Sequence, residues 1–135
     1  MSKMAEQITG LTAKRLQDRE LPSYPDVYFN FLRFIEAEME DAGPGAVPLL
    51  VGHNIYAFDV PLLLHSARNF NLPAVRDVRI LDTMVAARGV LTGSMKPTNL
   101  ELTTLYAHLT EKDVVTAHRA AADVEMTMAV LTALG

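Results

Sequence analysis

Two stretches decide how this 135-residue chain is read: VGHNIYAFDVPLLL at residues 51–64 and TAHRAAADVEMTMAVL at residues 116–131. In the first, the apolar run 47–52 has the length of a short buried strand, and His53 and Asn54 lead from it into a helix expected over 57–69. Asp59 therefore stands near the N-terminal turn of a helix just after a strand, on backbone that emerges from a sheet. Taken singly, an aspartate there satisfies orphan helix N–H groups. In the second stretch, His118 precedes a helix expected over 120–134, and Asp123 follows five residues later. Five is not a same-face helical interval, so the two side chains converge only if His118 lies on the lead-in loop. Two carboxylates and a histidine on separate elements can form an oxygen-rich Mg²⁺ or Mn²⁺ site with a general base alongside.

Working outward, Ser23 offers an N-cap and Pro25 a helix-compatible first turn, opening a helix to about residue 41. Its apolar residues Val27, Phe31, Phe34, Ile35 and Met39 recur at the period of one buried face. Glu36, Glu38, Glu40 and Asp41 form a solvated surface. Gly43, Pro44 and Gly45 break the chain. Residues 79–82 read as a second strand, 83–91 as a helix and 93–98 as a loop. Leu100, Leu102 and Leu105 mark another helix, and the last helix carries Val124, Met128 and Leu131 on one face. Met126 and Met128 read as core and boundary residues, while His65 and His108 have no patterned partner and read as structural. Strands alternating with helices give an α/β layered domain, with few strands for that class.

Length and composition bound the function. A chain of 135 residues, half of it hydrophobic and 21% charged, is one globular domain. Its formal net charge of −4 argues against a protein that grips nucleic acid by bulk positive charge, but not against an enzyme that meets phosphates through metal ions. There is no cysteine, which excludes disulfides, cysteine–zinc sites, iron–sulfur clusters and thiol catalysis. No apolar run approaches the roughly 20 residues that span a bilayer, and MSKMAEQ lacks the apolar stretch of a secretory signal, so an intracellular protein without a membrane partner is expected.

Together the segments resemble a known family. His53, Asn54, Phe58 and Asp59, as HN-x-x-x-FD, look like the second motif of the DEDDh family of 3′–5′ exonucleases, which includes proofreading exonucleases, ribonuclease T and the TREX-like nucleases. Many members have one residue fewer between the Asn and the Phe-Asp; the TREX-like ones share the spacing seen here and a similar D-x-P-L-L continuation. HRAAAD at 118–123 looks like the third motif, H-x-A-x-x-D. ILDT at 80–83 resembles the strand between them, and ITGLT at 8–12 resembles the segment that follows the family's third strand. The four matches keep the family's order over nearly the whole chain.

The resemblance implies a ribonuclease H-like α/β fold and hydrolysis of phosphodiesters from a free nucleic-acid 3′ end, single-stranded by preference. Two Mg²⁺ or Mn²⁺ ions would clamp the scissile phosphate. Asp59 and Asp123 would hold metal, and His118, with an ordinary pKa of about 6.5, would take a proton from the attacking water. His53, Asn54 and Phe58 would shape the substrate pocket, with Asp82 supporting them from behind.

The family's first motif, a D-x-E on the first strand, belongs well upstream of ITGLT. The early triplet Asp18, Arg19, Glu20 follows ITGLT instead and sits in a polar, helix-like context, whereas a buried strand reads as an apolar run. The expectation is thus an N-terminally truncated exonuclease domain whose sheet lacks its first strands. Its bare edge would pair with a second copy or another chain. The alternative is a catalytically inactive exonuclease fold kept for nucleic-acid binding or protein interaction.

Overall fold

The computed structural model describes residues 17, 21–75, 77–114 and 120–135. ITGLT, the triplet Asp18, Arg19, Glu20, and His118 lie outside the described residues. Helix α1 (Tyr24–Ala42) starts where the sequence says it should: Ser23 is extended, its hydroxyl accepts the Asp26 N–H at 3.3 Å, and Pro25 occupies the first turn. It stops at Gly43, whose φ of 90° is costly for any residue with a Cβ. Strand β1 (Leu49–Gly52) follows, then α2 (Asp59–Asn69), β2 (Arg79–Asp82), α3 (Thr83–Val90), a 3₁₀ turn at Gly93–Met95, α4 (Leu102–Thr110) and α5 (Ala120–Leu134).

β1 and β2 pair in parallel, with Leu50 opposite Ile80 and Gly52 opposite Asp82, so β1, α2 and β2 form a βαβ unit. Both strands therefore end on the same side, and their carboxyl ends are where the two loops of interest begin. Among the described residues the sheet has two strands, and β1 has one paired edge.

The core lies beside the sheet, among the helices. Ala87 and Leu91 from α3 and its end, Leu105 from α4 and Val130 from α5 are buried against one another, with Leu100, Leu102, Tyr106, Leu109 and Leu134 packed around them. Elsewhere the burial departs from the sequence pattern. Strand β1 is half-buried, with Leu49 exposed. On α1 the buried residue is Tyr28; Val27 and Phe34 are exposed, and Phe31, Ile35 and Met39 are only partly covered. On α5 the buried residues are Met126, Thr127 and Val130, while Val124 and Met128 are exposed. The physical reason is cover. Two strands about 4.8 Å apart make too narrow a surface to bury an entire helix stripe, and α5 turns its other side to α3 and α4.

α1 is instead held through aromatic residues. Tyr24 stacks on Phe70 at 5.3 Å between ring centroids, and the Tyr28 hydroxyl donates to the Pro73 carbonyl. Clefts of about 490 and 500 Å³ remain beside it.

Candidate functional site

The chain leaves β1 at Gly52 and must turn sharply into α2. Gly52 itself allows the turn: a Cβ there would stand 2.9 Å from Cβ and Cδ1 of buried Ile55. Asn54 then adopts φ 58°, a left-handed conformation that asparagine tolerates better than most residues. Its carbonyl accepts the N–H groups of Ala57 at 3.2 Å and Phe58 at 3.3 Å, and the Ile55 carbonyl accepts that of Val60 at 2.9 Å. Residues 53–58 are thus a compact turn that delivers Asp59 as the first residue of α2. Among the described residues no side chain caps this helix, and the Asp59 carboxylate stands exposed at the positive end of the helix dipole.

The turn is fastened from the end of β2. The Asp82 carboxylate, 4% exposed, accepts three backbone N–H groups: Asn54 at 2.8 Å, Met84 at 2.9 Å and Tyr56 at 3.3 Å. The Met84 bond makes Asp82 the N-cap of α3, and the other two carry the 53–58 turn. A charged acceptor with three donors is well compensated for its burial. Next to it, fully buried Thr83 meets His53, whose two ring nitrogens lie 2.8 Å from Thr83 Oγ1 and 2.7 Å from the Leu100 carbonyl.

A cleft of about 490 Å³ runs along β1 past Leu50 and Val51 to its carboxyl end at Gly52, with Val60, Leu62 and Leu63 of α2 also lining it. His53, Ile55 and Asp59 line it from the turn, Val124, Thr127 and Met128 from α5, and Tyr24 and Phe31 from α1. Crevices outside the carboxyl ends of parallel strands are the usual ligand sites of open α/β sheets. Asp123 is half-buried in the first turn of α5. It stands four residues before Thr127, hence one turn along the same face, and Thr127 Oγ1 donates to the Asp123 carbonyl at 2.7 Å. The two sequence stretches that share no local contact are thus brought to one cleft. Phe58 is 68% exposed beside Asp59.

Asp59 and Asp123 are hard oxygen donors of the kind that Mg²⁺ and Mn²⁺ prefer. Among the described residues, however, no group of three or more His, Asp or Glu side chains is close enough to hold a metal ion. Two carboxylates do not by themselves make a metal centre. Residues that sequence reasoning passed over are Gly52, Ile55, Thr83 and Leu100; Gly52 could have been found from its place between a strand and a turn. His65 and His108 are exposed, with ring nitrogens beside the Asn69 amide and the Met95 carbonyl.

No described helix is long and apolar enough to cross a membrane. No curated protein matches the chain. A family model does: the one described as Exonuclease, RNase_T, covers residues 1–131, which takes in every motif quoted above. The mixed α/β fold, the two motif-bearing elements at one cleft and this match agree, and the chain belongs to the RNase_T exonuclease family, within the ribonuclease H-like superfamily.

Proposed function

We propose that the domain removes nucleotides from a nucleic-acid 3′ end, single-stranded by preference, in a reaction that depends on Mg²⁺ or Mn²⁺. The observation that carries the reading is the shared cleft, lined by Asp59 from one motif and by the α5 face that follows Asp123 from the other. Asp59 and Asp123 would be the carboxylates that the second and third motifs bring to the cation site, and the pair that the family's first motif supplies would have to come from another chain. A divalent ion held there would offset charge developing on the attacking and leaving oxygens. His118 takes the proton of the attacking water. Phe58, exposed beside Asp59, offers a face on which a terminal base can stack. His53 and Asn54 shape the cleft wall; Asp82 holds the Asn54 backbone, and Thr83 and the Leu100 carbonyl hold the His53 ring. With a net charge of −4, binding is local to the cleft rather than spread over a basic surface. The edge of β1 that no described strand pairs with, and the exposed Leu49, Val124 and Met128, favour cover by a second copy or another chain.

Oligonucleotides labelled at the 3′ or the 5′ end, incubated with Mn²⁺, test the reading. Release of labelled mononucleotide from the 3′-labelled strand is expected, with stepwise shortening of the 5′-labelled one. Chelator should abolish both, and Asp59→Ala, Asp123→Ala or His118→Ala should slow them by about 100-fold or more. Oligonucleotide binding by a folded sample without cleavage would overturn the catalytic reading in favour of a binding module.

A further inference from the structure

Thr83 is fully buried at the centre of the site's supporting bonds. The Leu100 carbonyl can only accept, so the 2.7 Å contact assigns the hydrogen of His53 to Nε2. In the neutral ring Nδ1 is then an acceptor, and the Thr83 hydroxyl donates to it at 2.8 Å. The alternative acceptor of that hydroxyl, the Gly52 carbonyl, lies farther away at 3.3 Å. Both ring nitrogens are thus engaged within the protein. The imidazole acts as a strut between the end of β1, the start of α3 and the segment before α4.

From this we infer that Thr83 is a positioning residue of the cleft: its hydroxyl fixes the orientation and tautomer of His53, and through that strut the direction in which residues 53–58 deliver Asp59. The inference rests on the reading of Asp59 as a working residue of the site. Asp82 fastens the turn at two backbone points, Asn54 and Tyr56. A body held at two points can still rotate about the line between them. The His53 side chain supplies a third point of attachment, and three points fix an orientation. The turn is short and internally hydrogen-bonded, so a tilt at His53 reaches Asp59 six residues on with little loss. Displacement of a reacting group by about 1 Å costs on the order of 100-fold in rate.

The test uses the full chain with Thr83→Val, which keeps the shape and removes the hydroxyl, and Thr83→Ser, which restores it. Imidazole ¹⁵N–¹H spectra of the unsubstituted protein should show His53 protonated at Nε2 and hydrogen-bonded at Nδ1. Thr83→Val should shift the Nδ1 resonance and move the backbone amide signals of Asp59 and Val60, and Thr83→Ser should return all of them. On a 3′-labelled oligonucleotide with Mn²⁺, kcat should fall about 10-fold or more in Thr83→Val, with KM within about 2-fold, and recover in Thr83→Ser. Unchanged His53 or Asp59 signals in a folded Thr83→Val protein would overturn the inference, as would a Thr83→Ser protein as impaired as Thr83→Val. If no form of the chain cleaves, the nuclease reading fails, and the amide signals of Asp59 still decide whether Thr83 positions it.

Discussion

Asp82 reaches from the end of β2 to the backbone of Asn54, and its Oδ1 accepts the Asn54 N–H at 2.8 Å across 28 residues of sequence. Asn54 is the residue whose φ of 58° turns the chain out of β1. One carboxylate therefore stabilises the unusual backbone conformation on which the approach to Asp59 depends, and it caps α3 at the same time.

Removing that carboxylate should be costly in proportion to the donors it leaves bare. Asp82→Ala orphans three N–H groups in a buried place and should lower stability by about 3 kcal/mol. Asp82→Asn can keep its oxygen toward Asn54 and Met84, losing only the longer bond to Tyr56, and should cost about 1 kcal/mol. Urea unfolding of both variants measures the difference, and equal losses would contradict the assignment of the bonds.

The close approach of Gly52 to Ile55 makes a second position sensitive. A methyl at residue 52 meets two carbons of a buried side chain at 2.9 Å, so Gly52→Ala should destabilise by about 2 kcal/mol through overpacking. Trimming the neighbour should relieve it. The double variant Gly52→Ala with Ile55→Val is expected to lose less than the sum of the two single changes, a coupling that thermal unfolding can read.

The helical core and the apolar surface should respond differently to truncation. Leu105 is fully buried among α3, α4 and α5, and Leu105→Ala should cost about 3 kcal/mol. Phe34, though larger, is 62% exposed, so Phe34→Ala should change stability by no more than about 0.5 kcal/mol. Denaturant midpoints at low protein concentration compare them. A large loss in Phe34→Ala would mean that α1 is covered in solution.

Tyr28 adds a dependence on alkaline pH. Burial raises its pKa above the ordinary 10.0, neighbouring Tyr24 adds to the effect, and a backbone hydrogen bond with Val75 opposes it. The folded protein thus holds the phenolic proton to higher pH than the unfolded chain does. Stability from this group is fully present below about pH 10 and is lost as pH rises through the raised folded value. Tyr28→Phe should cost about 1 kcal/mol near neutral pH, from the lost bond to the Pro73 carbonyl, and should flatten the alkaline limb of the stability profile. Unfolding followed from pH 8 to 11 checks both.

Much of the fold was legible because its signals are local. The Ser23 cap, the Gly43 stop and the apolar runs fix elements within a few residues of where they were expected: the strand at Arg79–Asp82 and the helix at Ala120–Leu134 coincide with the expectation, whereas α2 begins at Asp59 rather than two residues earlier. The placement of Asp59 at the start of a helix after a strand was legible for the same reason. The burial of α5 was not. Its apolar residues run around the helix, so more than one stripe satisfies a helical period, and neither Val124 with Met128 nor Met126 with Val130 is favoured until a neighbour is present.

Sequence alone determined the family motifs, the order of strands and helices, and the residue types able to carry phosphodiester chemistry, since each of these depends on spacing along the chain. Tertiary structure decided which helix faces are buried, that the core lies among α3, α4 and α5, and that His53 is engaged by Thr83 and Leu100 from 30 and 47 residues away. Those outcomes depend on which distant groups supply cover and hydrogen-bond partners, and spacing along a chain does not contain that distance.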